Sequence, residues 1–164
     1  MKGVVFAVLA AAMVAAAACG NKNDNAMKNE SANCIFEKGE KAAANFTGSA
    51  WVRTLVPKSD TTAYAVADVI FEPGCRNYWH THQVRQTMII TAGKGWYQER
   101  GKEARALRKG DVVVIPANVE HWHGATADDL LEHVVITDYQ GDECVVWLGP
   151  VTDAEYGQLP SSFE

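Results

Sequence analysis

From Phe46 onward no apolar run in this chain is long, and most stop at glycine or proline. Trp51–Val56 ends at Pro57, and Ala63–Phe71 ends at Pro73-Gly74. Asn77–Ile90 ends at Ala92-Gly93-Lys94-Gly95, and Trp96–Arg100 ends at Gly101. Ala104–Leu107 leads into the Lys109-Gly110-Asp111 turn, Asp111–Ile115 stops at Pro116, and Leu131–Asp138 and Val145–Leu148 follow. Short runs with such punctuation predict an all-β sandwich or barrel. No segment here carries a long apolar stripe of helical period, which argues against a helical bundle. A chain of 164 residues accommodates one such domain. Asp153–Tyr156 is the one place for a short terminal helix, capped by Thr152 or Asp153.

The first residues follow a different pattern. Lys2 precedes an apolar run from Val4 to Ala18, shorter than the roughly 20 residues that span a bilayer. Ala16-Ala17-Ala18 is followed at once by Cys19 and then by polar residues. This resembles a bacterial lipobox, with Ala16 where leucine is more usual. The resemblance implies cleavage before Cys19, lipidation of its sulfur, and a chain anchored to a bacterial membrane that faces the periplasm or the exterior. The predicted organisation is a leader over 1–18, a solvated tether over 19–45, a barrel over 46–150 and a tail over 151–164. The tether is rich in Asn, Lys, Glu and Ala and has room for a helical turn near Glu37–Ala44. The alternative is an arm that adds a strand to a neighbour, with Cys34-Ile35-Phe36 as the piece apolar enough to dock. Cys34, Cys75 and Cys144 form no Cys-x-x-Cys pair and read as small buried or loop cysteines, their pairing open. The net charge of -5 argues against a nucleic-acid surface.

All five histidines lie between residues 80 and 133. In a strand, residues of equal parity share a face, so His80, His82 and Gln86 point the same way. His121 lies after the Gly110–Pro116 strand and supplies a third nitrogen if the strands close into a barrel. Three imidazoles and an amide oxygen suit Mn, Fe, Ni or Zn and leave room for a substrate or water. His133 shares the parity of Leu131 and Val135 and is expected inside. Tyr78 shares the parity of His80 and is the best expectation for a pocket wall. His123 is expected at the rim. Trp79, Trp96 and Trp122 are expected in the core.

Gly74, His80, His82, Gln86 and Gly93 resemble the first motif of the cupins, G-x5-H-x-H-x3-E-x6-G, with Gln in place of Glu. Gly110, Pro116 and His121 resemble the second, with Asn118 where that motif has its inner Gly. Cupins are small jelly-roll barrels, and the resemblance covers about Phe46 to Leu148. The string from Phe71 through Ala125, with His133 beyond it, resembles more closely the small manganese cupins that include the cupin-type hydroxynitrile lyases. That resemblance implies manganese held by His80, His82, Gln86 and His121, with His133 as acid or base beside it. It also implies a small hydroxy or carbonyl substrate, and cupins at large imply a homodimer. A neutral amide in place of a carboxylate leaves the ion's charge uncompensated by its shell, which favours polarisation of a carbonyl or hydroxyl over oxygen chemistry. A cupin dioxygenase or other redox enzyme, and a non-catalytic ligand-binding or sensing lipoprotein, are the alternatives.

Overall fold

The computed structural model describes residues 34–160 and residue 163. The leader, Cys19 and the first part of the tether lie outside the described residues. Twelve strands follow in order: β1 (Glu40–Lys41), β2 (Phe46–Thr47), β3 (Ala50–Val56), β4 (Tyr64–Phe71), β5 (Arg76–Asn77), β6 (His80–Thr81), β7 (Gln86–Glu99), β8 (Arg105–Arg108), β9 (Val112–Ile115), β10 (His121–Ala125), β11 (Leu131–Asp138) and β12 (Val146–Trp147). Among the described residues one short helix, α1, spans Asp153–Tyr156. All pairings are antiparallel.

The sheet curls into two facing halves that share β7. Its first part runs in β1-β3-β4-β11-β7 order, with β9 on its other side. Its second part is flanked by β8 and β10, and β10 continues to β5 and β6. This is the all-β jelly roll that the sequence predicts. Alternation decides which side chains fill it. Leu131, His133, Val135 and Thr137 of β11 are buried while Val134, Ile136 and Asp138 are less so. Val69, Phe71, Met88, Ile90, Leu107, Ile115 and Leu131 form the interior with Val135. Burying side chains of this size stabilises the fold by about 1.5–3 kcal/mol each.

Three local readings change. First, β7 is continuous across Ala92-Gly93-Lys94-Gly95, where the sequence predicts a turn between two strands. Gly93 takes φ 70, and a Cβ there would lie 1.9 Å from the Leu130 carbonyl oxygen. A Cβ on Gly95 would lie 2.3 Å from the Gly124 oxygen. These glycines let one strand bend sharply between the two halves while neighbouring backbones approach closely. Second, Asn77–Ile90 is not one strand. β5, β6 and β7 are separate, and His82 lies just past β6. Asn118 holds φ 60, the left-handed conformation for which the cupin motif uses glycine, and donates its N–H to the His82 carbonyl at 2.8 Å.

Third, residues 34–45 neither float free nor form a helical turn. Glu40 and Lys41 pair with Val52 and Trp51 as an added strand. The backbone N–H groups of Ile35 and Phe36 donate to the Glu132 carboxylate at 2.9 and 3.1 Å, and Thr91 Oγ1 donates to it at 2.7 Å. Glu132 is fully buried, and a carboxylate in that position needs donors. The arm provides them on its own barrel. Part of the described chain after β12 also packs down. Trp79, Trp96 and Trp122 form a second apolar cluster, covered by Val151, Tyr156, Leu159 and Phe163. Thr152 caps α1 and forms a reciprocal capping box with Glu155. Cys34, Cys75 and Cys144 are all free thiols, with Cys75 buried.

Candidate metal centre

His80 on β6 and His121 on β10 sit directly opposite each other in register. His82 follows one residue after β6. The three imidazoles are buried, and each offers a nitrogen within 4.8 Å of the other two. Their opposite ring nitrogens are already engaged. His80 Nδ1 donates to the Tyr78 carbonyl at 2.8 Å, His82 Nδ1 to the Cys144 carbonyl at 2.6 Å, and His121 Nδ1 to the Val119 carbonyl at 2.9 Å. A carbonyl can only accept, so each proton sits on Nδ1 and each Nε2 keeps its lone pair. The Nε2 atoms of His82 and His121 are buried and have no partner among the described residues.

Gln86 opens β7 and could add an oxygen donor to the three nitrogens. Its Nε2 donates to Thr137 Oγ1 at 3.1 Å, and its Oε1 is buried without a partner among the described residues. The amide is thus held with its oxygen available. Burial lowers the pKa of all three imidazoles: His80 well below the usual histidine range, His82 below it, and His121 down to about 4. They are neutral donors at physiological pH. Orphaned lone pairs on buried, tautomer-fixed imidazoles fit a divalent metal ion, and the three-histidine group is where one would bind.

Beside this group lies a pocket of about 120 Å³, bordered by His80, His82, Gln86, His123 and His133 and walled by Phe71, Val135 and Trp147. No charged side chain lines it among the described residues. A wider groove of about 670 Å³ runs outside the barrel past Trp79 and Arg100, but none of the imidazoles borders it. The chemistry belongs to the smaller cavity, because the unpaired ring nitrogens of His82, His123 and His133 and the Gln86 oxygen belong to residues that border it.

His133 on β11 lies inside, fully buried, with its ring edge-on to Phe71 at 5.2 Å. Neither ring nitrogen has a partner among the described residues, and burial lowers its pKa to about 3. His123 is deeper than the rim position expected of it, 4% exposed and part of the pocket wall. Tyr78 is not a wall residue. It is half-buried in the link between β5 and β6, where strand parity no longer holds, and its contribution is the carbonyl that orients His80. Sequence reasoning missed Asn77, Thr137 and the Cys144 carbonyl. Thr137 was within reach, since it shares the parity of His133. A backbone carbonyl has no sequence signal, and Asn77 sits on its own two-residue strand.

Residues 67–137 match the family model described as Cupin domain. The (R)-mandelonitrile lyase of Granulicella tundricola is 39% identical over 118 residues, which is 72% of this chain and 90% of that protein. A crystal structure of a cupin-like protein from Thermotoga maritima aligns with a TM-score of 0.75 at 48% identity, covering 78% of this chain and 98% of that one. The polyketide cyclase RemF of Streptomyces resistomycificus shares the fold at 12% identity, with a TM-score of 0.59 over 78% of this chain and 91% of its own. With both histidine motifs folded into one interior site, and with a curated relative matched over most of its length, the chain belongs to the cupin family.

Proposed function

We propose that this protein is a metal-dependent lyase that cleaves a small, neutral hydroxy compound to a carbonyl compound, with a cyanohydrin as the specific substrate class. The observation that carries this reading is an all-neutral donor set, three imidazoles and the Gln86 oxygen, next to a buried imidazole whose two nitrogens are both unpaired. A divalent ion, which we propose to be manganese, supplies Lewis acidity there that no carboxylate in its shell offsets. The similarity to the mandelonitrile lyase supports the choice of substrate class.

His133 moves the proton. Its ring is neutral, and no hydrogen bond to the described residues fixes its tautomer, so one nitrogen can accept while the other donates. It takes the proton of the substrate hydroxyl as the oxygen closes to a carbonyl and the carbon–carbon bond breaks. The electron pair leaves with the cyanide carbon, and the same proton passes to it, giving hydrogen cyanide. Burial disfavours the imidazolium, so the proton is held only briefly and is delivered readily. The uncharged walls suit a neutral substrate.

The setting is part of the proposal. The leader sequence supports a lipid anchor at Cys19 on a bacterial membrane facing the periplasm or the exterior, and we propose a homodimer there. The test is metal analysis and mandelonitrile cleavage on one preparation of the full chain. Stoichiometric metal with benzaldehyde release is expected. His133→Ala should keep the metal and lose about 10²-fold or more in kcat. Full turnover in that variant would remove the mechanism. Oxygen uptake without cleavage would replace the lyase by a redox enzyme.

A further inference from the structure

His123 is wired in the opposite sense to the three metal-facing histidines. They donate from Nδ1 to carbonyls, and the Nε2 atoms of His82 and His121 have no partner among the described residues. His123 instead meets the side chain of Asn77, which is 2% exposed. Two contacts join the pair. The backbone N–H of His123 donates to Asn77 Oδ1 at 3.0 Å, and Asn77 Nδ2 lies 2.9 Å from His123 Nε2. A backbone N–H can only donate, so the first contact fixes which end of the amide is oxygen. The other end is then the NH2 group, which can only donate in turn. His123 Nε2 must accept, and the ring proton must sit on Nδ1.

His123 Nδ1 is buried and has no partner among the described residues, and His123 borders the pocket. Its ring stands perpendicular to that of His133 at 4.9 Å. A buried N–H with no acceptor is costly unless something in the cavity receives it. We infer that Asn77 is a positioning residue that locks His123 as the Nδ1–H tautomer, making it a neutral hydrogen-bond donor to an acceptor atom of the substrate. The two pocket histidines then divide the work. His133, with no fixed tautomer, moves a proton. His123, with its proton pinned, holds the substrate oxygen or nitrogen on which negative charge gathers and never gives the proton up.

Asn77→Asp is the discriminating substitution, because it conserves shape and reverses polarity. One carboxylate oxygen still accepts from the His123 backbone. The other now accepts from the ring, which draws the proton to Nε2 and leaves Nδ1 as an acceptor. The substrate side of this inference rests on the carbonyl-lyase reading; the tautomer does not. The experiment is imidazole proton–nitrogen correlation NMR on the full chain loaded with diamagnetic zinc, with the His123 signals assigned by their loss in His123→Asn. The parent should show Nδ1–H, and that proton should shift when benzaldehyde is added. In Asn77→Asp the proton should move to Nε2. With the manganese-loaded protein, mandelonitrile kcat should fall about 10²-fold with KM and metal content nearly unchanged.

A parent ring protonated on Nε2 overturns the inference, with no variant needed. So does a benzaldehyde response absent at His123 but present at His133. If Asn77→Asp does not fold, Asn77→Ala removes both contacts without adding charge and should give a mixture of tautomers; a pure Nδ1–H ring there shows that Asn77 does not position it. The expected tautomers and the benzaldehyde shift in a protein with no cleavage activity would uphold the positioning and discard the lyase.

Discussion

At Gln86 a single atom decides whether a neutral oxygen or a carboxylate borders the pocket beside the three-histidine group. Its Nε2 is held by Thr137, so the atom left without a partner among the described residues is a neutral amide oxygen on a residue that borders the pocket. Gln86→Glu keeps an oxygen at that point and adds one unit of charge. The added charge binds a divalent ion at least as firmly but dampens its pull on substrate electrons. The variant is expected to retain full metal content while kcat/KM for mandelonitrile falls about 10- to 10²-fold, on the scale of other single electrostatic contributions to catalysis. Equal or higher activity would mean that a neutral shell gives the chemistry no advantage. The three-histidine group was legible in the sequence because His80, His82 and His121 stand at spacings that two motifs impose. The orientation of each ring was not legible. It depends on the carbonyls of Tyr78, Val119 and Cys144, and carbonyls are the same whatever residue carries them.

Among the elements, β7 carries the most. It is shared by both halves of the barrel, starts with a side chain that borders the pocket and pairs with β8, β9, β10 and β11. Its bend depends on Gly93. Gly93→Ala would place a Cβ against the Leu130 carbonyl oxygen at a conformation of φ 70 that side chains rarely adopt. Backbone must move on both strands, and the expected loss is about 2–4 kcal/mol, read as a lower denaturant midpoint with an unchanged slope. A midpoint unaltered by the substitution would show that the corner tolerates a side chain. The same element explains where sequence reading of the fold succeeds and where it stops. Two glycines one residue apart, Gly93 and Gly95, look like a turn, because a turn and a bent continuous strand call for the same freedom of φ. What separates them is the approach of Leu130 and Gly124 from elsewhere in the chain, and periodicity cannot register a contact made across the barrel.

Across the whole molecule, buried ionisable groups of two kinds set opposing slopes of stability against pH. Burial lowers the pKa of all five histidines, with His121 at about 4 and His133 at about 3. An unfolded chain would protonate them near 6.5, so below that pH the unfolded state binds more protons. The stability these neutral rings represent is complete above about 6.5 and is lost as pH falls toward the folded values, at a rate of about 1.4 kcal/mol per pH unit per group. Asp68 runs the other way. It sits on β4 under the N-terminal arm, 1% exposed, with Oδ1 unpaired among the described residues. Burial first, and then the nearby Glu132 charge, raise its pKa to about 7, against an opposing pull from Arg53. Its contribution is present below the unfolded value near 3.8 and fades as pH rises to about 7, where the buried carboxyl must ionise. Asp68→Asn removes that requirement while keeping shape. It should raise the melting temperature at pH 8, by the equivalent of about 1–3 kcal/mol, and leave it nearly unchanged at pH 4. Thermal melts of the metal-free protein at the two pH values check this. A gain of the same size at both would assign the effect to packing and not to charge. A loss at pH 8 would mean that ionised Asp68 is paired, and that the arm lies on it differently.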